Sequence, residues 1–204
     1  MRIITVSREF SSGGRELGKR LADILGYDYY DRQIISAIAE KQGLDENYVE
    51  SVLSDHGWRN IPITFHSTFA IPQMTQVNLL LEQTKVIEEI AKKGKDCIIV
   101  GRNADVLLRD YEPFKLFVCA DMDSKIQRCI ERRSENEKLS RRKLEQTIRN
   151  IDKQRANIRD ILSSSEWGQR DAYNLTVNTT GWVIKELAPA VADYINKWYD
   201  RTKL

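Results

Sequence analysis

The chain alternates short apolar runs with longer segments in which apolar residues recur at helical spacing. The apolar runs at residues 2–7, 97–101 and 115–120 predict buried strands, and residues 27–30 and 172–178 predict two more. The segments between them predict helices at residues 15–25, 31–43, 44–55, 73–93, 123–136, 140–163 and 182–199. Because helix-length connections join the strands, we expect a parallel sheet of about five strands with helices on both faces.

Individual residues mark several helix ends. Gly26, Gly43 and Gly94 each follow a predicted helix, where glycine commonly ends the helix in a left-handed conformation. Asp31 stands at the start of the second helix and is predicted to cap its N-terminus. Pro189 lies inside the last helix, which we therefore expect to bend or restart there.

Residues 56–72, HGWRNIPITFHSTFAIP, follow neither pattern. They contain both histidines of the chain and two of its four prolines. This segment is either a loop that moves or part of a small inserted subdomain. His56 and His66 lack the spacing of metal ligands, and we therefore interpret them as loop residues.

Composition narrows the choice of partners. The 204 residues suit one domain with room for a small insert, and the net charge is +2, from 32 basic and 30 acidic residues. This balance gives no reason to expect a nucleic-acid or membrane partner, and any basic site must be local. The three cysteines form no Cys-x-x-Cys pair, and no apolar run approaches the roughly 18 residues of a membrane span. We therefore expect reduced thiols and a cytoplasmic protein.

The loop between the first predicted strand and the first helix, SREFSSGGRE, has the position of a phosphate-binding loop. Compared with the pattern G-x-x-x-x-G-K-[ST], Gly13 fits the second glycine. The first glycine, the lysine and the hydroxyl residue are replaced by Arg8, Gly14 and Arg15. The motif alone is therefore as compatible with a plain glycine turn as with a phosphate site.

The position of this loop favours the phosphate site. Ligands of open parallel sheets bind at the carboxyl ends of the strands, and a helix N-terminus offers unpaired N–H groups and partial positive charge. We expect Arg15 to supply the cation in place of the lysine, and Glu16 or Glu9 to help hold a metal ion. The residues expected to bind phosphate are Ser11, Ser12, Gly13, Gly14, Arg15 and Glu16.

Five segments carry a resemblance to a known family. ITVSREFSSGGRELGKRLA, YYDRQII, CIIVGRNADVLL, KLFVCADMDSKIQRCIERR and AYNLTVNTT follow one another in the order typical of cytidylate kinases and their cytidylate kinase-like relatives. The chain resembles the cytidylate kinase-like branch in its SREF-x-SGGRE loop, which also lacks the usual lysine. The resemblance covers nearly the whole chain except residues 44–75.

This resemblance implies a fold and an activity. The fold is a P-loop NTPase-type α/β three-layer sandwich in one domain, with a core at residues 1–30, 95–135 and 170–204, an insert that binds the nucleoside monophosphate at 31–94, and a helical lid at 136–169. The activity is transfer of the γ-phosphoryl group from ATP, which carries Mg²⁺, to CMP or dCMP. Two alternatives stay open: a kinase of similar fold for another small acceptor, and a nucleotide sensor that has lost turnover.

An arginine in the predicted helix 140–163 is the clearest clue from the residues themselves. The apolar stripe of that helix continues through Ile148 and Leu162, and Arg155 stands on it between them. An inward arginine needs an anion, which is either a phosphate under a lid or the carboxylate of Asp152. Asp152 could equally form a surface pair with Arg159.

Together with the positions of the residues, the resemblance predicts the remaining roles. We expect acceptor binding by Asp31, Arg32, Arg102 and Asn103, ATP binding by Arg128 and Arg132, and lid functions for Arg149, Asp152, Arg155 and Arg159. The expected catalytic residues are Arg15, Arg155 and Asp152. Arg102 could instead form a structural ion pair, and the arginines of 128–133 could form a solvated helix face.

Overall fold

The computed structural model describes residues 1–53, 73–132 and 139–201. The described part holds a sheet of five parallel strands in the order β2-β3-β1-β4-β5. The strands are β1 Ile3–Arg8, β2 Asp28–Tyr30, β3 Cys97–Val100, β4 Phe114–Cys119 and β5 Leu175–Asn178. The helices are α1 Gly14–Leu25, α2 Gln33–Gln42, α3 Glu46–Leu53, α4 Gln73–Lys92, α5 Ala104–Leu107, α6 Met122–Arg132, α7 Arg141–Leu162 and α8 Ile184–Arg201. The predicted α/β fold with a five-stranded parallel sheet is thereby confirmed. The irregular segment 56–72, which contains both histidines, lies outside the described residues.

The apolar runs form the buried centre of the sheet. All four residues of β3 and the first five residues of β1 are buried, as expected for parallel strands that are covered on both faces. On one face, Ile4 and Val6 pack with Leu17 and Leu21 of α1 and with residues of α8. On the opposite face, Phe117 of β4 contacts the rings of Trp167 and Tyr173, at 5.3 and 4.9 Å between centroids.

The chain divides into two compact units. The sheet unit comprises Met1–Tyr30 and Gly94–Leu204, and the helical unit comprises Asp31–Lys93. Within the helical unit, Ile34 and Ile38 of α2 and Ile87 of α4 are fully buried, and Lys41 pairs with Glu89 at 2.6 Å. The helical unit begins where the predicted insert 31–94 begins and ends one residue before the insert's last residue, and binding of a monophosphate by it stays a prediction.

The structure corrects the expected N-cap of α2 and the expected restart of α8, whereas a bend of α8 at Pro189 stays a prediction. The N-cap of α2 is Arg32, not Asp31, because the first bond of helical spacing runs from the backbone N–H of Ser36 to the carbonyl of Arg32, at 3.2 Å. Helix α8 runs through Pro189 from Ile184 to Arg201 without a restart. Because Pro189 has no N–H, the carbonyl of Lys185 loses its i,i+4 helical partner, and the exposed position of Lys185 leaves that carbonyl open to water.

None of the described helices is long and apolar enough to cross a membrane.

Candidate functional site

The loop at residues 9–13 connects the central strand β1 to the start of α1. Gly13 is the N-cap of α1 and has a left-handed backbone, with φ 84°, and Ser11 also has a positive φ of 59°. No side chain caps α1. The first-turn N–H groups of α1 and its dipole are therefore directed at the space beside the loop, which suits an anion.

Hydroxyl groups hold this loop in place. The Oγ of Ser12 donates to the carbonyl of Glu9 at 2.9 Å, and the Oγ1 of Thr179 donates to the carbonyl of Ser12 at 2.6 Å. Thr179 follows β5 and is fully buried. The loop is thus held by a bond within itself and by a bond from Thr179, which follows the edge strand β5.

Arg128 of α6 is attached to the same structure. Its guanidinium donates to the Oγ1 and the carbonyl of Thr179, at 3.2 and 2.8 Å. Burial lowers the pKa of Arg128, and the neighbouring cation of Arg132 adds to this effect. A bound anion would favour the charged guanidinium and so offset this lowering of the pKa; the role of these two arginines in binding ATP stays a prediction.

A buried lysine links the loop to two helices. The Nζ of Lys125 on α6 lies 2.9 Å from Glu9 and 3.2 Å from Asp152 of α7. Each carboxylate also accepts from a backbone N–H group: Ala120 N–H donates to Glu9 at 3.1 Å, and Phe10 N–H donates to Asp152 at 2.6 Å. Burial raises the pKa of Asp152, and the Phe10 N–H and the Lys125 cation oppose that rise.

Sequence reasoning missed Lys125, although a signal was present. Lys125 stands on the apolar stripe of α6, three residues after Met122 and four before Cys129, and it is 5% exposed. An inward lysine needs carboxylate partners, just as the inward Arg155 needs an anion. The identity of those partners could not be predicted, because Glu9 lies 116 residues away.

Arg155 lies against the loop. Its Nη1 donates to the carbonyl of Arg8 at 2.8 Å and lies 3.7 Å from Asp152, and its guanidinium is 5.8 Å from the ring centroid of Phe10. The side chain is 17% exposed. The structure therefore brings Arg155 and Asp152 together beside the phosphate-binding candidate residues.

The other two residues predicted for the lid lie elsewhere. Arg149 is exposed and pairs with Glu145 one turn away, at 2.8 Å. Arg159 is buried, where it pairs with the buried Asp105 and donates to Ser165 at 2.9 Å through Nη2. The carboxylate partner of Arg159 is thus Asp105, and not Asp152 as one alternative proposed.

Arg102 and Asn103 form the turn after β3. Both have left-handed backbones, with φ values of 60° and 51°, and Asn103 is the N-cap of the short helix α5. Such conformations are uncommon outside glycine and often occur at functional sites. The backbone N–H of Gly101 donates to Val6 of β1 at 2.9 Å, so this turn and the loop lie at the same edge of the sheet.

Arg15 and Glu16 occupy the first turn of α1. Arg15 is exposed, and Glu16 pairs with Arg20 at 2.9 Å and with Arg132 at 3.3 Å. These pairs are partly exposed and contribute little to stability. They do place the end of α6 beside the start of α1.

A cavity of ≈ 290 Å³ opens between the loop, α6 and α7. Its lining combines apolar side chains with two arginines, which suits a ligand with both an apolar and an anionic part. The lining residues are Phe10, Ser11, Arg128, Cys129, Arg132, Leu139, Leu144, Thr147 and Ile148.

Asp31 and Arg32 belong to the helical unit. Asp31 is 6% exposed, and Arg32 is exposed at the start of α2. Their roles in acceptor binding stay predictions.

The sheet order and the loop between β1 and α1 define a nucleotide-binding P-loop fold of the kinase type. A sequence profile of the cytidylate kinase-like family matches residues 3–181, and the chain therefore belongs to that family. Family and fold together support a small-molecule kinase. No curated protein sequence matches the chain significantly.

Solved structures show the same fold at low identity. An uncharacterized protein from Eubacterium ventriosum is 21% identical with a TM-score of 0.70, over 96% of this chain and 99% of that one. The shikimate kinase from Acinetobacter baumannii in complex with shikimate is 17% identical with a TM-score of 0.56, over 97% and 94%. The shikimate kinase from Bacteroides thetaiotaomicron is 13% identical with a TM-score of 0.57, over 96% and 98%.

Proposed function

We propose that this protein transfers the γ-phosphoryl group of ATP to a nucleoside monophosphate, with CMP and dCMP as the preferred acceptors. The observation that carries the proposal is the loop at residues 9–13. This loop leads into the N-terminus of α1, which no side chain caps, and the guanidinium of Arg155 donates to the carbonyl of Arg8 directly before the loop. Membership of the cytidylate kinase-like family supports the choice of acceptor.

The donor phosphates bind at the loop. The backbone N–H groups of Ser11, Ser12, Gly13 and Gly14 receive them, and Arg15 neutralises part of their charge. Arg128 and Arg132 add positive charge from α6 on the side of the cavity. The described residues hold no cluster of three or more metal-ligating side chains. Mg²⁺ is proposed to arrive on ATP, because such ions commonly use only one or two carboxylates together with the substrate phosphates. Glu16 is the carboxylate in the first turn of α1.

The acceptor phosphate binds at the turn after β3. A guanidinium at the end of a buried strand can hold a phosphate through two parallel hydrogen bonds, and Arg102 has that position. Asn103 provides amide groups for the base or the ribose. Asp31 and Arg32 are proposed as further acceptor ligands on the resemblance alone.

The chemistry is direct in-line transfer without a covalent intermediate. Positioning and electrostatic stabilisation account for most of such catalysis, and no strong base is needed. Arg155 stabilises the transferring group, and Asp152 positions Arg155 while it accepts from the Phe10 N–H. Loss of one oriented donor in a site of this kind costs about 3 kcal/mol of transition-state stabilisation.

A second acceptor class is favoured by the turn after β3. The segment GRN at 101–103 resembles the GRD-type segment of cytidylate kinases, with Asn103 in the place of the acid. The nearest acid in the chain, Asp105, is bonded to Arg159 and Ser7. This turn therefore offers an acceptor an amide and not a carboxylate, which favours another small acceptor.

The decisive assay measures phosphoryl transfer from ATP–Mg²⁺ to a panel of acceptors. The panel contains CMP, dCMP, the other nucleoside monophosphates and shikimate. Turnover that is fastest on CMP or dCMP supports the proposal, and faster turnover on another acceptor supports the second candidate. Binding of ATP without any product contradicts both and favours a nucleotide sensor.

Arg102→Ala tests the acceptor site. We expect kcat/KM for the acceptor to fall by about 10²-fold, because a charge-assisted contact to the phosphate is lost, whereas the affinity for ATP is kept. Arg109→Ala is the matched control, since this arginine is 73% exposed and pairs only with its neighbour Asp110 among the described contacts. Unchanged binding of every monophosphate by Arg102→Ala would refute the assignment.

A further inference from the structure

Arg8 and Gly14 compete for the same space. A Cβ atom on Gly14 would lie 2.7 Å from the Cβ of Arg8 and 3.3 Å from its Cδ. It would also lie 3.2 Å from the Cβ of Val118 on β4. A side chain at position 14, a lysine included, therefore cannot coexist with Arg8 in its present conformation.

The stem of Arg8 passes over Gly14, and its guanidinium reaches the end of the neighbouring strand. The Nη1 of Arg8 overlaps the place that a Cβ of Gly101 would take, and the Cζ of Arg8 lies 3.1 Å from that place. Gly101 directly follows β3 and precedes Arg102. Because residues 14 and 101 are glycines, the Arg8 side chain has room to lie across the edge of the sheet.

The backbone of Arg8 is held from two sides. Arg8 pairs with Val118 in the register of β1 and β4, and the next N–H, that of Glu9, donates to the carbonyl of Val118 at 3.0 Å. The carbonyl of Arg8 accepts from Arg155 at 2.8 Å. The origin of the side chain is therefore fixed with respect to the loop and to the arginine assigned to the transferring group.

In the usual loop pattern, a lysine at position 14 supplies the cation that reaches the β- and γ-phosphates. Here that position carries no side chain, and a cation from position 8 lies at the same edge of the sheet. We propose that Arg8 takes the part of the missing lysine and binds the terminal phosphates of the nucleoside triphosphate donor. This inference rests on the proposed function, because it assumes a donor at the loop.

The chemistry of the side chain agrees with this role. A guanidinium presents two parallel N–H groups to phosphate oxygens and keeps its charge at any physiological pH. Compared with the usual pattern, the positive charge then comes from the last residue of β1, Arg8, and not from the first turn of α1. A lysine placed at 14 would need a small residue at 8.

Five variants test this assignment. Arg8→Met keeps the stem that packs on Gly14 and removes the charge, Arg8→Lys keeps the charge, and Arg109→Ala is the surface control. Gly14→Lys alone introduces the clash, and Arg8→Gly/Gly14→Lys restores the first glycine and the lysine of the usual pattern. For each, calorimetry measures affinity for ATP–Mg²⁺ and for CMP, steady-state kinetics gives both KM values, and thermal unfolding reports folding.

We expect Arg8→Met to lose about 10- to 100-fold in affinity for ATP–Mg²⁺, as for one charge-assisted bond, with the KM for the acceptor unchanged. Arg8→Lys should lose less. Gly14→Lys should bind ATP–Mg²⁺ more weakly than the double variant, which recovers most of the affinity of the wild type.

Different failures have different meanings. A wild type that does not bind ATP–Mg²⁺ would overturn the proposed function and this inference with it. A wild type that binds, with Arg8→Met equally tight, would overturn the inference alone. Two further results would also overturn the inference, because both indicate a merely structural arginine. The first is an equal rise of the donor KM and the acceptor KM in Arg8→Met. The second is a double variant that binds ATP–Mg²⁺ no more tightly than Gly14→Lys.

Discussion

Single charged residues hold the candidate site together, and Lys125 is the clearest case. It stands between Glu9 of the loop and Asp152 of α7, and all three side chains are at most 24% exposed. Removal of one partner from a buried set of charges leaves the others without compensation. Lys125 therefore fixes the loop and α7 with respect to each other.

Lys125→Met is expected to lower the free energy of unfolding by about 3–5 kcal/mol, because two carboxylates lose their shared cation. Addition of Asp152→Asn to that variant should recover part of the loss. Urea unfolding followed by circular dichroism measures both. Lys19→Met, which removes an exposed i,i+4 pair with Asp23, is the control and should change little. Equal effects of Lys125→Met and Lys19→Met would contradict this account.

At the scale of elements, α7 is anchored at two points. Asp152 and Arg155 bind it to the loop, and Arg159 one turn later binds it to Asp105 on the short helix after β3. Asp105 also accepts from the Oγ of Ser7 on β1, at 3.3 Å. The predicted lid segment 136–169 thus includes a part that is packed on the sheet.

Arg159→Met should cost about 3–5 kcal/mol of unfolding free energy, because it leaves the buried Asp105 uncompensated. The double variant Arg159→Met/Asp105→Leu replaces the ion pair by apolar side chains and should lie much closer to the wild type. Chemical denaturation of the three proteins measures the difference. If the double variant loses as much as or more than Arg159→Met, the pair itself, and not the unpaired carboxylate, determines stability.

At the scale of the whole molecule, the sheet unit contains the loop, α6, α7 and the turn after β3, whereas Asp31 and Arg32 lie in the helical unit. The loop and Arg102 thus both belong to the sheet unit, and we expect ATP to bind at the loop whether or not an acceptor phosphate is bound at Arg102. A ligand that binds only the folded state stabilises it in proportion to the logarithm of its concentration.

ATP–Mg²⁺ at about 100 times its dissociation constant should add about 2.7 kcal/mol to the free energy of unfolding, or roughly 5–10 °C to the melting temperature of a chain of this size. CMP should give a separate shift. In Arg102→Ala the ATP shift should remain and the CMP shift should disappear. Differential scanning fluorimetry measures these shifts, and loss of both in Arg102→Ala would show that the donor and acceptor sites are not independent.

Local sequence determined the elements of this protein. Apolar runs and helical spacing placed all five strands and every described α-helix except the short α5, because burial of an apolar face depends on residues that are near in the chain. The inward Arg155 was predictable for the same reason. The glycine loop after β1 was also predictable, but the one position that matches the usual pattern, Gly13, could not distinguish a phosphate site from a plain turn.

Only the tertiary structure decided the strand order and the partners of the charged residues. Arg159 and Asp105 are 54 residues apart, and Phe10 and Asp152 are 142 apart. The approach of Arg8 to Gly14 and Gly101 likewise depends on the placement of β3 beside β1. Spacing within one helix or strand carries no information on such contacts, because they depend on which elements lie side by side once the sheet has formed.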